Sequence, residues 1–206
     1  MNTLGQVIRY AITDSSRFSD PAIRQTELLS HARRWASQKI DFVQLREKTL
    51  EAGELLTLAE AMLAVFREQG GHTKLLINGR LDVAIAAKAD GVHLTSNSEG
   101  LTPAQVRQIY AQTIMSMPIV STSCHSLAEV ERARALGTDL ILFGPVFEKR
   151  VDGHVVTAGV GLEMLREACT SAGETSLLAL GGITEENASA CVVAGAAGVA
   201  GIRLFF

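Results

Sequence analysis

The sequence has few of the residues that build disulfide-stabilised, secreted or membrane-spanning proteins. Cysteine occurs 3 times in 206 residues. Cys124, Cys169 and Cys191 are too far apart for a C-x-x-C pair and too few for a disulfide scaffold, so we expect buried, reduced thiols. No apolar run reaches the ~18 residues of a transmembrane helix. Residues 1–13 lack the basic start and apolar core of a signal peptide, which predicts a cytoplasmic protein.

An excess of positive charge is also missing. The chain has 19 Lys and Arg against 22 Asp and Glu, a net charge of −3 at pH 7. This balance argues against a nucleic-acid-binding protein. Phosphorylated small molecules remain suitable ligands, because a few placed cations and backbone amides are enough to bind them. Hydrophobic residues make up 47% and charged residues 20% of the chain, which predicts one globular domain over residues 1–206.

Short β-rich segments alternate with longer segments of helical periodicity along the whole chain. We predict strands at 8–13, 40–45, 73–77, 91–94, 118–123, 140–143, 177–180 and 198–202, and helices at 21–37, 52–68, 81–88, 103–110, 127–136, 162–170 and 185–194. Several of the strands are continuous apolar runs, which is typical of a parallel sheet buried on both faces.

Eight strand–helix units predict an α/β fold, the (β/α)8 TIM barrel, at the short end of its size range. A doubly wound open sheet is the alternative, and it is disfavoured because no G-x-G-x-x-G follows the first strand. The sequence ends at Phe206, so we expect the eighth helix to be short or absent. A second subunit, as in a homodimer, or the N-terminal segment would then cover that side of the barrel.

The predicted strand ends are where a barrel of this kind carries its active groups. Cations, hydroxyls and glycines occur there, a mixture that suits an anion-binding mouth better than a metal site. Gln44, Arg46 and Lys48 share one parity and are expected to project inward together, while Leu45 and Glu47 face the helices. Two cations and an amide on one face predict a pyrophosphate clamp. Salt bridges at the rim are the alternative.

A glycine pair ends the seventh predicted strand, ahead of a helix. Gly181, Gly182 and Ile183 could bring backbone N–H groups close to a phosphate at the positive end of that helix. Arg203, at the end of the eighth strand, could add a formal charge. A tight turn without a ligand is the alternative interpretation of the glycines.

The five histidines include one candidate for proton transfer. His125 follows the fifth strand among several hydroxyl side chains, and an imidazole with a near-neutral pKa suits acid–base work. We expect His93 to pack or to satisfy a backbone group. His31, His72 and His154 have no metal-ligand spacing.

Seven segments resemble motifs of the thiamine phosphate synthase family, which also contains the thiazole tautomerases. They occur in family order and cover the chain from about residue 8 to 203: Tyr10–Asp14, Val43–Lys48, Leu76–Asn78, Asp90–Leu94, Ser123–Ser126, Gly144–Phe147 and Gly181–Ile183. The resemblance implies a (β/α)8 barrel that joins an aminopyrimidine pyrophosphate to a thiazole phosphate. Pyrophosphate leaves first, and the thiazole nitrogen captures the pyrimidine cation.

The resemblance also assigns roles to individual residues. The positions of Gln44, Arg46, Lys48 and Asn78 hold the pyrimidine and its pyrophosphate. Ser123 lies near the leaving group, and the stretch Gly181–Ile183 receives the thiazole phosphate, with Arg203 where the family has a Ser. Arg46, Lys48, Ser123 and His125 are therefore the candidate catalytic residues.

The chain departs from the family at the metal. Synthases bind Mg²⁺ with an Asp after the Asn and a second Asp after the Val-His-Leu segment; the corresponding positions here are Gly79 and about Ser98. Glu99 could substitute at the second position. The family's Thr- and Lys-bearing loop is replaced by residues 148–153, where Lys149 or Arg150 could supply the cation and Asp152 and Gly153 follow. We expect residues 148–160 to form a lid.

Three functions are compatible with these features. A synthase with an altered metal site is favoured by Gln44, Arg46, Lys48 and Asn78. A metal-independent thiazole phosphate tautomerase, an isomerase, is favoured by the missing carboxylates and by His125. A non-catalytic thiazole phosphate binder would keep only the phosphate loop.

Overall fold

Eight parallel strands close into a barrel surrounded by helices, as the sequence predicts. The computed structural model describes residues 7–97, 99–151 and 154–206. The barrel strands are β1 (Ile8–Ile12), β2 (Phe42–Leu45), β3 (Lys74–Asn78), β4 (Gly91–Leu94), β5 (Ile119–Cys124), β6 (Leu140–Phe143), β9 (Ser176–Leu180) and β10 (Gly198–Gly201), while β7 (Lys149–Val151) and β8 (His154–Thr157) form a separate hairpin. The helices are α1 (Arg24–Ser37), α2 (Ala52–Glu68), α3 (Leu81–Ala87), α4 (Pro103–Tyr110), α5 (Leu127–Ala135), α6 (Gly161–Ala172) and α7 (Glu185–Val193).

Apolar side chains fill both the barrel and the layer between its strands and helices. Residues such as Ile12, Leu76 and Leu178 pack together inside the barrel. Larger clusters outside the barrel join strands to helices, with Trp35 of α1 and Leu165 of α6 fully buried in them. Burial on both faces explains why strands such as β6, with four buried residues in a row, read as continuous apolar runs.

A short turn takes the place of an eighth helix among the described residues. The 3-10 turn Arg203–Phe205 follows β10. The carbonyl oxygen of Phe205 accepts a hydrogen bond from Trp35 Nε1 at 2.7 Å, and the Phe206 ring packs edge-on against Trp35. We expected a second subunit or the N-terminal segment to cover this side; in the structure its own last residues pack on α1. A homodimer stays a prediction.

Most predicted boundaries agree with the structure to within one or two residues, and three differences are larger or change an element. The predicted helix at 21–37 divides into a 3-10 turn, Pro21–Ile23, and α1. The second strand begins at Phe42 because Ile40 N–H bonds back to the Trp35 carbonyl at the end of α1. The β7–β8 hairpin was not predicted as strands at all. Within the described residues, no helix is both long and apolar enough to span a membrane.

Barrel closure between β1 and β10 depends on a residue without a side chain. A Cβ on Gly198 would lie 2.0 Å from the Ile8 carbonyl oxygen. We expect Gly198→Ala to lower the free energy of unfolding by about 2–4 kcal/mol, because the two strands must separate to relieve the clash. Gly53→Ala is the matched control: it lies in the first turn of α2 with open space around it, and we expect a gain of about 0.5 kcal/mol. Urea denaturation measures both, and equal stabilities would contradict the close-approach argument.

Candidate active site

The loops after β1 and β2 are held together at the carboxyl end of the barrel. Thr13 is fully buried; its N–H donates to the Gln44 carbonyl at 2.9 Å, and its Oγ1 accepts from the Arg46 N–H at 2.8 Å. Glu47 is buried, and its carboxylate accepts from the Ser15 N–H at 3.1 and 3.3 Å. These bonds fix the backbone from which the Arg46 side chain projects.

The predicted alternation along β2 holds only to the strand's end. Leu45 packs in the cluster formed with α1 and α2, as expected, and Gln44 is buried and turned into the barrel. Glu47 does not face the helices as predicted, because its carboxylate binds the loop after β1. β2 ends at Leu45, so Lys48 lies in a turn, where its side chain is exposed. Alternation does not apply there and cannot place Lys48 beside Arg46.

Buried polar side chains connect several strands across the barrel. Gln44 Nε2 donates to the Tyr10 hydroxyl at 3.1 Å, and that hydroxyl lies 3.0 Å from Ser121 Oγ. His93 continues the series, with Nδ1 at 2.8 Å from Ser121 Oγ and Nε2 at 2.9 Å from Ser123 Oγ. Burial raises the pKa of Tyr10 to about 12, so its hydroxyl keeps its proton. The series ends at Ser123, which is only partly buried.

His93 is a buried member of the polar series inside the barrel rather than a packing residue. We expected it to pack or to bind a backbone group; it instead contacts two serine hydroxyls, because its side chain points into the barrel between β3 and β5. Burial, and to a smaller extent the nearby Arg46 guanidinium, lower the pKa of His93 to about 3. The imidazole is therefore neutral at physiological pH.

The glycine pair after β9 packs closely against the loop after β6. Gly181 and Gly182 have φ values of +93° and +65°, and a Cβ on either would lie within 2.7 Å of Pro145 or Phe147. The Phe147 N–H donates to the Gly181 carbonyl at 3.0 Å. Both glycines are therefore required by packing, which agrees with the tight-turn interpretation and also leaves a backbone surface free of side chains ahead of α7.

Ile183 and Arg203 contribute in different ways to this end of the mouth. The Ile183 side chain is 6% exposed and packs in the cluster under α6 and α7, so only its backbone can meet a ligand. Arg203 begins the turn after β10, and its side chain is exposed. α7 starts with a capping box in which Thr184 and Asn187 satisfy each other's backbone N–H groups.

His125 is exposed just beyond β5 and is held in one tautomer. Its Nδ1 lies 2.5 Å from the carbonyl oxygen of Gly144. A carbonyl can only accept, so Nδ1 carries a proton, and in the neutral ring Nε2 then presents a lone pair. The His125 N–H in turn donates to Glu129 Oε2. This geometry suits a general base, as the sequence predicted for His125.

The expected metal position does not fit Mg²⁺. Asn78 is half-buried at the end of β3, and a Cβ on Gly79 would meet nothing within 4 Å. The guanidinium of the next residue, Arg80, donates two hydrogen bonds to the Asp82 carboxylate. Glu99 is exposed, and Ser98 lies outside the described residues. Among the described residues, no three His, Cys, Asp or Glu side chains lie close enough together to hold a metal ion. An amide without neighbouring carboxylates is a poor Mg²⁺ site.

The segment expected to form a lid contains the β7–β8 hairpin. Lys149 and Arg150 lie in β7, while Asp152 and Gly153 fall outside the described residues. The hairpin returns to the barrel where the Val160 N–H donates to the Pro145 carbonyl at 2.9 Å. The lid and the cationic role of Lys149 or Arg150 stay predictions.

The fold and this mouth of cations, hydroxyls and glycines define a (β/α)8-barrel enzyme that handles phosphorylated substrates. The model of the family described as thiamine monophosphate synthase matches residues 9–205. The chain belongs to this family, and the family makes it a transferase of thiamine biosynthesis.

Curated relatives and a solved structure agree with this assignment. A putative thiamine-phosphate synthase 2 of Aquifex aeolicus is 34% identical, over 95% of this chain and 96% of that protein. A putative thiamine-phosphate synthase of Geobacter sulfurreducens is 42% identical, over 77% of this chain and 70% of that protein. The thiamine phosphate pyrophosphorylase structure from Pyrococcus furiosus superposes with a TM-score of 0.76 at 26% identity, covering 98% of this chain and 88% of that one.

Sequence reasoning missed the buried polar residues that support the mouth. Tyr10, Thr13 and Ser121 are all fully buried, and none was a candidate. The available signal was a polar side chain within a strand whose neighbours inside the barrel are apolar, since such a group must find a partner. Pattern alone does not say which partner it finds.

The neutral state of His93 makes stability depend on pH. The imidazole pKa is about 3 when folded and about 6.5 when unfolded. Between these two pKa values, His93 is protonated in the unfolded chain and unprotonated in the folded chain. The free energy of unfolding therefore falls as pH drops below about 6.5, by up to about 1.4 kcal/mol per pH unit.

We expect His93→Gln to reduce this slope in urea denaturation between pH 7.5 and 4.5. Burial also lowers the pKa of His31, so part of the slope remains. Identical slopes in the wild type and the variant would contradict the assignment of a neutral, buried His93.

Proposed function

We propose that this chain couples an aminopyrimidine pyrophosphate to a thiazole phosphate, releasing pyrophosphate. One observation carries the proposal: the Ser123 hydroxyl lies 2.9 Å from the buried His93 imidazole, and the Arg46 guanidinium is near enough to contribute to the lowered pKa of that imidazole. The glycine loop after β9 is a separate backbone surface, two strands from β5 and three strands from β2 around the ring. Two phosphorylated substrates need two such places.

The first chemical step is departure of the leaving group. The bond between the pyrimidine methylene carbon and the pyrophosphate oxygen breaks, and its electron pair goes to the oxygen. Arg46 and the Ser123 hydroxyl would stabilise the charge that develops there. Asn78, half-buried at the end of β3, would hold the pyrimidine, with the buried Gln44 on the adjacent strand supporting it from below. Lys48 would add a cation from its turn.

The second step is capture of the pyrimidine cation. The thiazole nitrogen donates its lone pair to the methylene carbon, and no proton is removed from that nitrogen. The backbone of Gly181, Gly182 and Ile183 would hold the thiazole phosphate, with Arg203 near it. Holding both substrates at a fixed distance is the larger part of this step, because the cation must meet the thiazole before it meets water.

Because the carboxylate positions are Gly79 and Ser98, leaving-group stabilisation falls to the protein's own cations. Thiamine phosphate formation should therefore change less than about threefold when a chelator replaces Mg²⁺. Arg46→Ala should lower kcat by about 10²-fold, because removing one placed donor to a developing charge typically costs this much. Arg46→Lys keeps the charge and should show a smaller loss of kcat. Chromatography of thiamine phosphate together with pyrophosphate release measures both.

Loss of product with chelator would contradict protein-only stabilisation and would direct attention to Glu99. Gly79→Asp is the matched gain-of-site variant: open space surrounds the position, and Asp is among the residues that tolerate its left-handed backbone, with φ of +65°. It should make the rate rise with added Mg²⁺.

A second candidate, thiazole phosphate tautomerisation, is favoured by His125. Its Nε2 lone pair could take a proton from one position of the thiazole and return it to another, leaving the ring isomerised and the enzyme unchanged. The reaction needs no pyrophosphate and no metal. The Gly144 carbonyl would stabilise the imidazolium formed between the two transfers.

The His125 tautomer gives a direct test of this candidate. His125→Gln should abolish tautomerisation, with a loss of about 10²–10⁴-fold, because Gln cannot take a proton. The same variant should leave pyrophosphate release within about threefold. If His125→Gln stops coupling and leaves isomerisation intact, the assignment is reversed. Binding of thiazole phosphate without either turnover would indicate a binder.

A further inference from the structure

The buried hydrogen bonds between Gln44 and Ser123 have a direction. Four bonds join Gln44, Tyr10, Ser121, His93 and Ser123 in that order, at 3.1, 3.0, 2.8 and 2.9 Å. The first four side chains are at most 3% exposed. Water therefore cannot take up a proton or lone pair that the series leaves unmatched.

The direction starts at Gln44, whose amide nitrogen faces Tyr10. That nitrogen can only donate, so the Tyr10 oxygen accepts and its proton goes to Ser121 Oγ. Among the described residues, Ser121 Oγ forms hydrogen bonds only with Tyr10 and His93, so if it accepted from both, its own buried proton would have no acceptor. Ser121 therefore gives its proton to His93 Nδ1, which must be unprotonated. The single ring proton of a neutral imidazole is left on Nε2.

The last bond sets what Ser123 offers to a ligand. His93 Nε2–H donates to Ser123 Oγ at 2.9 Å, so the serine spends a lone pair on the histidine and keeps its proton. In the opposite direction Ser123 would give its proton to His93, and only lone pairs would face the mouth. A phosphate oxygen would be repelled by the second arrangement and bound by the first.

We propose that His93 is a positioning residue, held by Gln44, Tyr10 and Ser121 in the Nε2–H tautomer so that the Ser123 hydroxyl donates into the mouth. The inference rests on the proposed function, because an anionic leaving group is what such a donor serves. His93 itself does not transfer a proton. It acts through Ser123.

Histidine ¹⁵N NMR on the full-length chain tests the tautomer without any substrate. The His93 signals are assigned by their loss in His93→Gln. We expect one protonated and one unprotonated ring nitrogen from pH 5 to 8, with the proton on Nε2. A proton on Nδ1, or an imidazolium, overturns the proposal.

Two histidine replacements separate positioning from bulk. The Gln nitrogen in His93→Gln can reach the place of Nε2 and donate to Ser123, whereas the shorter His93→Asn can reach only Ser121. Inorganic pyrophosphate in chelator is the probe. We expect His93→Gln to bind within about threefold of the wild type, and His93→Asn and Ser123→Ala to bind about tenfold more weakly, as for loss of one hydrogen bond to a charged group.

A double variant tests whether the two residues act through each other. His93→Asn combined with Ser123→Ala should bind no more weakly than Ser123→Ala alone, because residues in one hydrogen-bond series are not additive. Multiplied losses overturn the proposal. If the wild type does not bind pyrophosphate, the proposed function fails, and the NMR result still decides the tautomer. Thermal unfolding of each variant confirms that it is folded.

Discussion

The mouth of this barrel depends on one constraint, the pairing of polar groups in an interior that excludes water. Tyr10, Ser121 and His93 lie with Gln44 inside a closed ring of strands, among apolar side chains. Each must therefore bind a neighbour, and together they join β1, β2, β4 and β5. Burial inside this ring, with a smaller contribution from the nearby Arg46 guanidinium, keeps His93 neutral. Rigidity of the binding surface and its electrostatics therefore share one cause.

Charge at this mouth is organised around anions. Glu47 is occupied by a backbone N–H, Asp82 by Arg80, and Glu129 by the His125 N–H. These carboxylates thus serve as structural acceptors, and the proposed function assigns the substrate to Arg46 and Lys48. A member of this family that lacks the Mg²⁺ carboxylates must stabilise the leaving pyrophosphate with its own side chains. On the proposed function, the Ser123 hydroxyl, oriented by His93, and the Arg46 guanidinium provide this stabilisation.

Apart from the β7–β8 hairpin, much of the fold could be predicted from the sequence, because every barrel strand and helix has a local sequence pattern. The apolar run of β6 and the proline that opens α4 are examples. The site was predictable only where strand ends expose their residues, as at Arg46, Ser123 and Gly181. Long-range pairing was not predictable: nothing in the residues near Tyr10 or His93 says that they meet through Ser121. The position of Lys48 could not be predicted from alternation for a different reason, since the strand ends three residues earlier; its substrate-binding role stays a prediction.

The most direct test of the account is a crystal structure of the protein with inorganic pyrophosphate and no added divalent cation. We expect a pyrophosphate oxygen within hydrogen-bonding distance of Ser123 Oγ and a second contact with the Arg46 guanidinium. An anion bound only at the Gly181–Gly182 backbone, with Ser123 free of it, would contradict the claim that protein donors around His93 receive the leaving group.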